Sequence, residues 1–245
     1  MNPIVLIPAR MAATRLPGKP LADIEGTPMI VRVLRQAEAA GIGPVAVAAG
    51  DQEIVDAVIA AGGRAVLTDP DLPSGSDRIL AALKTLDPDG HHDVVINLQG
   101  DIPFIAPSVV KATADLLDVH PDCDVSTVMV AQARPDERTN PDIPKVVAAM
   151  QPDGRSARAL YFTRSVLYGD QPVWLHHGIY GYRRTALERF CAAPPSPLEK
   201  LERLEQLRAL EMGMQIWVTV IDEAPISVDN PSDLERARAH ARTLS

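Results

Sequence analysis

Short apolar runs alternate with amphipathic stretches through the first half of the chain. Residues 4–7, 45–49, 64–67 and 94–98 are runs of that kind and read as strands. Residues 29–40, 54–61, 77–86 and 108–119 read as helices, and in the first of them Ile30, Val33, Leu34 and Ala37 fall on one face. Such alternation predicts parallel strands joined by right-handed crossovers, with helices on both faces. The second half loses that rhythm. Residues 125–130, 145–149, 159–162 and 178–183 read as strands with few helices between them, which predicts antiparallel pairing. Residues 215–221 return as a strand, and 231–241 close as a helix with Asn230 at the N-cap and Pro231 in the first turn. The expected architecture is α/β: a mostly parallel sheet with helices on both faces and a smaller antiparallel extension.

Leu198, Leu201, Leu204, Leu207 and Leu210 recur every three residues, just past the break at Pro194-Pro195-Ser196-Pro197. On an α-helix such a row drifts about 60° per step and wraps around the cylinder. Either the helix breaks here, or it is buried on more than one side, as core or against a second subunit.

A chain of 245 residues, 46% of them hydrophobic, can bury a sizeable core. Its net charge of −8 argues against a nucleic-acid partner while leaving room for a local basic pocket. Cys123 and Cys191 suggest neither a disulfide framework nor a Cys-rich metal site. The amino terminus enters a strand with no basic leader or cleavage site, and no run approaches the roughly 18 apolar residues of a membrane span. The expectation is a cytoplasmic protein with no membrane partner.

Against the acidic background, Arg10, Arg15 and Lys19 follow the first strand within ten residues, with Pro17, Gly18 and Pro20 restricting the backbone between them. The carboxyl end of a buried strand is where open α/β sheets bind phosphorylated ligands. As a loop residue, Lys19 is expected to be exposed, its loss costing under about 0.5 kcal/mol of stability. Asp101 follows the strand at 94–98 on the same side. At about 4 Å and an effective dielectric of 20, a carboxylate there repels a phosphate by roughly 4 kcal/mol unless a cation intervenes. Mg²⁺, held by one or two carboxylates and substrate phosphates, resolves the conflict. Asp229 precedes the last helix, where the helix dipole alone accommodates an acid. Ser76, in Ser74-Gly75-Ser76-Asp77-Arg78, is the expected N-cap of the next helix. Gly18-Lys19-Pro20 is no Walker A loop, and no G-x-G-x-x-G follows a strand. Asp69-Pro70-Asp71, Asp87-Pro88-Asp89 and Asp122-Cys123-Asp124 match the loose Asp-x-Asp of metal-dependent glycosyltransferases, but their surroundings read as turns.

The segment Ala9-Arg10-x-x-x-Thr14-Arg15-Leu16-Pro17-Gly18-Lys19-Pro20-Leu21 resembles the opening signature of bacterial 3-deoxy-manno-octulosonate (Kdo) cytidylyltransferases. Gln99-Gly100-Asp101 is similar to that family's metal-binding turn, and 228–235 to its Val-Asp-x-Pro-x-Asp-Leu-Glu. The likeness runs from the first strand to the last helix. It implies one nucleotidyltransferase domain, with a nucleotide half over about 1–122 and a sugar-acid and subunit-contact extension over about 123–215. The implied reaction moves CMP from CTP to the anomeric hydroxyl of Kdo, giving CMP-Kdo and pyrophosphate for lipopolysaccharide biosynthesis.

By the same resemblance Arg10, Arg15 and Lys19 face the triphosphate, and Ser74, Gly75 and Arg78 line the cytidine pocket. Lys19, Asp101 and Asp229 form the catalytic set, the two aspartates holding Mg²⁺. Gln99, Arg164, His177, Tyr180, Glu205 and Gln206 take the sugar acid, with Arg164 suited to a bidentate contact to its carboxylate. His176 and His177 adjoin on a strand and face opposite sides, so one is expected to be packed and the other functional. A homodimer is the expected assembly.

Three departures from the family pattern stand out. Ile102 replaces a glutamate after Asp101, Ala49-Gly50 replaces Thr-Asp, and the stretch between Tyr168 and Trp174 is short. Synthesis of CMP-sialic acid shares the layout, but usually with lysine at the position of Arg15. A glycosyltransferase that releases no pyrophosphate and a silent nucleotide-binding paralogue also stay open at this point.

Overall fold

A computed structural model describes residues 1–12 and 15–244. They form two compact units, one of Met1–Lys111 with Pro225–Ser245 and one of Ala112–Ala224. The first unit runs through β1 (Pro3–Ala9), a 3₁₀ turn (Lys19–Leu21), a hairpin of β2 (Asp23–Ile24) and β3 (Thr27–Pro28), and α1 (Met29–Ala39). It continues through β4 (Val45–Ala49), α2 (Gln52–Ala60), β5 (Ala65–Leu67), α3 (Gly75–Leu86), β6 (Val94–Leu98) and the start of α4 (Pro107–Val119). The second holds β7 (Val125–Ala131), α5 (Pro135–Thr139), β8 (Lys145–Met150), β9 (Ser156–Thr163) and β10 (Trp174–Arg183). It ends with α6 (Arg184–Ala192), α7 (Pro197–Glu202), α8 (Gln206–Glu211) and β11 (Ile216–Val220), before α9 (Pro231–Thr243) returns to the first unit.

In the first unit the strand order is β5-β4-β1-β6, all parallel. The central strands are apolar and buried, as Val5, Leu6, Val47, Val95 and Ile96 show. The chain steps outward from β1 to β4 and β5, then crosses back to β6 on the other flank of β1. Loops leaving β1 and β6 therefore part at a topological switch point, where such sheets bind ligands. The register pairs Pro3 with Val94 and Ala9 with Ala49. Carried one residue past the end of β1, the β4 register sets Arg10 level with Gly50. Helix α9 buries Leu234, Ala237 and Ala241 with Ile24, Met29 and Val228, which anchors the segment before α9 to this unit.

In the second unit β7 pairs antiparallel with β10 and parallel with β11. The pairs β11–β9, β9–β8 and β8–β10 are antiparallel. This corrects the expectation of a mostly parallel sheet: the strands are mixed, and the antiparallel part is no minor extension. Its physical cause is connection length. β8 returns to β9 through residues 151–155, closed by the Gln151 amide on the Ser156 carbonyl at 2.9 Å, and a parallel crossover needs a dozen residues or more.

The leucine row resolves as a break. Arg203 adopts a left-handed conformation (φ 56°) between α7 and α8; Leu204 and Leu207 are buried, and Leu201 stays 76% exposed. Helix α6 escaped the sequence reading because charges crowd it and only Ala186, Leu187 and Phe190 are buried. Among the described residues no helix is long and apolar enough to cross a membrane.

Candidate active site

A cavity of about 400 Å³ lies at the carboxyl ends of β1 and β6. Arg10, Arg15, Lys19, Ser74, Gly75, Arg78, Gln99, Asp101 and Asp229 all line it. The structure thus gathers every residue expected around the nucleotide and metal, together with one expected around the sugar acid. Ala13 and Thr14 of the loop lie outside the described residues.

Local chemistry explains how Lys19 is aimed. Gly18 sits at φ 68°, a conformation that strains any side chain, and the 3₁₀ turn follows with Pro20 buried. The Lys19 amide donates to the Leu16 carbonyl at 3.1 Å, while the Ala22 amide donates to the Lys19 carbonyl at 3.1 Å. From this turn the ammonium reaches Asp101 Oδ2 at 2.7 Å and Asp229 Oδ1 at 3.5 Å. The Lys19 side chain is only 18% exposed, so the expectation of an exposed loop lysine is corrected: it is a half-buried bridge between two carboxylates.

The two acids meet although 128 residues separate them, because the Val228 amide donates to the Asp101 carbonyl at 2.9 Å. Asp229 is released from helix duty. Asn230 caps α9, and Asp233 accepts the Asp229 and Asn230 amides at 2.9 and 3.2 Å. With the helix end served by its own capping box, the Asp229 carboxylate faces Lys19 and, at 3.1 Å, Arg15. Ile102 packs into the core at 5% exposure, so no third carboxylate follows Asp101. Space is tight at Gly100: a Cβ there would lie 3.0 Å from the Pro8 carbonyl oxygen.

Ser74, not Ser76, caps α3, which corrects the expected N-cap. Its Oγ accepts the Asp77 amide at 3.1 Å and donates to Asp77 Oδ2 at 2.7 Å, while Ser76 is buried. The helix therefore starts at Gly75, two residues earlier than the sequence suggests, and a Cβ at Gly75 would lie 3.3 Å from Pro8 Cγ. Ser74→Ala is expected to cost about 1 kcal/mol, lowering the melting temperature by roughly 2–4 °C in calorimetry. Arg78 is almost fully buried and donates to Thr68 Oγ1 at 2.7 Å and to the carbonyls of Asp69 and Pro70 at 3.0 and 3.1 Å. Burial, then the Arg10 charge, lowers its pKa. It braces the 68–70 strand-to-helix connection. Asp69 Oδ1 accepts the Asp71 amide at 2.9 Å, so this Asp-x-Asp is a turn, as read from the sequence.

The remaining sugar-acid candidates lie in the second unit. Arg164 donates through Nε to the Glu202 carbonyl at 3.1 Å and through Nη1 to the Pro141 carbonyl at 2.8 Å. Glu202 in turn accepts the Arg164 amide at 2.9 Å and the Thr163 hydroxyl at 2.7 Å. Lys145, fully buried, donates to the carbonyls of Asn140 and Arg164 at 2.6 and 3.3 Å. His176 is packed, with Nε2 3.0 Å from Thr127 Oγ1. Burial pushes the His177 pKa down to about 4, leaving its ring neutral, and its Nε2 is buried with no protein partner among the described residues. Tyr180 donates to Gln206 Oε1 at 3.2 Å, and Gln206 Nε2 is likewise buried and unpartnered. Glu205 lies 3.7 Å from Arg208. Not anticipated from the sequence were Pro8, Leu16, Pro20 and Leu72 as cavity walls. The prolines beside strand and loop ends were the available signal.

Residues 4–216 match the cytidylyltransferase family. The chain is 58% identical to the 3-deoxy-manno-octulosonate cytidylyltransferase of Parvibaculum lavamentivorans, over 97% of this chain and 92% of that one. With the enzyme of the same name from Rhodospirillum centenum it shares 54% identity, over 97% and 93% of the two chains. Among solved structures, a CMP:2-keto-3-deoxy-manno-octonic acid synthetase complexed with CTP superposes with a TM-score of 0.92 at 36% identity, over the whole of both chains. A nucleotidyl transferase from Methanothermobacter thermautotroptrophicus, with a TM-score of 0.64 at 15% identity, shares the fold. With its basic loop and paired aspartates on such a mixed α/β frame, the chain belongs to the 3-deoxy-manno-octulosonate cytidylyltransferases of the cytidylyltransferase family.

Proposed function

We propose that this protein transfers the cytidylyl group of CTP to the anomeric hydroxyl of Kdo, releasing pyrophosphate. The hydroxyl oxygen forms a bond to the α-phosphorus as the bond to the β-phosphate oxygen breaks, and the hydroxyl proton leaves to solvent. The observation that carries this reading is the meeting of Lys19, Asp101 and Asp229 in the lining of a cavity that Arg10 and Arg15 also line. The three cations offset the charge of the triphosphate and of the departing pyrophosphate, so positioning and electrostatics supply much of the catalysis.

Asp101 and Asp229 present hard oxygen donors already gathered around one cation, the Lys19 ammonium, and this donor set fits Mg²⁺. When bound, Mg²⁺ supplies Lewis-acid polarisation of phosphate oxygens. Ser74, Gly75 and Arg78 border the base side of the cavity. Arg164, His177, Tyr180, Glu205 and Gln206 of the second unit are assigned to the sugar acid, and the unpartnered Nε2 atoms of His177 and Gln206 support this. A homodimer acting in the cytoplasm completes the reading.

Incubation with CTP, Mg²⁺ and Kdo is expected to release pyrophosphate, with ATP and GTP giving little. A tight base pocket separates a pyrimidine from a purine more readily than phosphate contacts do, since cations bind any triphosphate. Equal release with ATP, or preference for a sialic acid over Kdo, would overturn the assignment.

A further inference from the structure

Asp51 occupies the N-cap of α2 but makes no cap bond with its side chain. Aspartate is among the best N-cap residues because its carboxylate accepts the free amides of the first turn. Here the carboxylate turns away and accepts the backbone amide of Met11 at 2.7 Å, forty residues upstream. The neighbouring Gly50 amide donates to the Ala9 carbonyl at 2.8 Å. These two bonds hold the planar peptide groups on either side of Arg10, one through its carbonyl oxygen and one through its nitrogen. With both planes held, φ and ψ of Arg10 are set, and so is the direction in which its side chain leaves the backbone. The Met11 carbonyl then accepts the Gly18 amide at 3.3 Å, which ties the start of the basic loop to the turn that carries Lys19.

Gly50 fits the same arrangement. A Cβ at that position would lie 2.7 Å from Arg78 Nη1 and 3.2 Å from Arg10 Cβ. The missing side chain leaves room for the Arg78 guanidinium to pass toward Thr68, Asp69 and Pro70. The departure from Thr-Asp noted in the sequence is thus a local solution: glycine where two arginines crowd, and aspartate one residue later to hold the loop.

We propose that Asp51 is a positioning residue for triphosphate binding, acting through the Met11 amide to aim Arg10 and close the basic loop. This rests on the reading of Arg10, Arg15 and Lys19 as triphosphate contacts. Asp51 lines no part of the cavity, and its negative charge by itself opposes an incoming anion. Positioning and simple electrostatics therefore predict opposite signs. If the charge alone mattered, removing it would tighten CTP binding.

The test compares Asp51→Ser and Asp51→Asn with the wild type in steady-state pyrophosphate release, CTP binding by calorimetry and thermal melting. Serine retains a good N-cap for α2 but is too short to reach Met11, so the helix is kept while the long-range bond is cut. Asparagine keeps an acceptor oxygen and loses the charge. Asp51→Ser is expected to raise the KM and Kd for CTP about tenfold, the size expected for losing a charge-assisted hydrogen bond, with kcat within about twofold and the melting temperature held. Asp51→Asn is expected to stay within about threefold of wild type. Unchanged or tighter CTP binding in Asp51→Ser overturns the proposal. So does Asp51→Asn as impaired as Asp51→Ser, because an acceptor oxygen facing the Met11 amide would then not be what positions the loop. A wild-type protein that binds no CTP removes the cytidylyl reading itself, a failure visible before any variant is compared.

Discussion

Asp101→Asn and Asp229→Asn are each expected to lower turnover by about 10²–10³-fold, the scale of removing one preorganised electrostatic contact from a reacting phosphate or oxyanion. Each change keeps side-chain shape and removes the charge that a divalent cation needs. Because both carboxylates converge on one cation site, the double variant is expected to be little worse than the poorer single one. Partial recovery at raised Mg²⁺ is expected in the single variants, which retain one carboxylate. The helix-dipole account of Asp229 makes a different forecast: a loss of about 0.3–1 kcal/mol in stability and normal catalysis. The α9 capping box argues against that account, since Asn230 and Asp233 already serve the helix end. Turnover assays beside melting curves separate the two. Near-normal turnover in Asp229→Asn with a lowered melting temperature would remove Asp229 from the catalytic set.

Lys19→Ala is expected to lower kcat/KM for CTP by about 10²-fold and, unlike an exposed loop substitution, to lower stability as well. The ammonium bridges two carboxylates in a half-buried setting, and removing it takes from Asp101 its cation and leaves Asp229 with Arg15 alone. Loss of one partner from such a charge-assisted contact costs on the order of 1–3 kcal/mol. If those acids also hold Mg²⁺, adding the ion restores the missing positive charge. Mg²⁺ is therefore expected to raise the melting temperature of Lys19→Ala more than that of the wild type. Equal shifts in the two proteins would detach the metal from this pair, and unchanged CTP kinetics would remove Lys19 from the site.

Much of the site was legible along the chain because its residues come in local packages. Arg10, Arg15 and Lys19 follow one strand within ten residues, and Gln99-Gly100-Asp101 follows another. Strands that are buried on both faces announce themselves as apolar runs, and in a parallel sheet their carboxyl ends share one edge. Helix 29–40 and strands 45–49 and 94–98 were readable for the same reason: their burial is nearly one-sided or complete, so periodicity and position agree. Helix α6 was not, because three buried side chains among arginines and a glutamate make too weak a stripe.

Three things were decided only by the tertiary structure, each by contacts distant in sequence. The mixed pairing of the second half depends on which strand lies beside which, and β7 takes β11 as a parallel neighbour across some ninety residues of chain. Lys19 looks like a loop lysine until the backbone bond from Val228 to Asp101 brings a second carboxylate to it. Asp51 looks like a helix cap until its carboxylate is found on Met11. Local sequence specifies which groups are available, since strand ends, turns and caps depend on near neighbours. It does not specify which charge meets which, because an ion pair or long-range hydrogen bond exists only after the sheet has set its register and closed the distance.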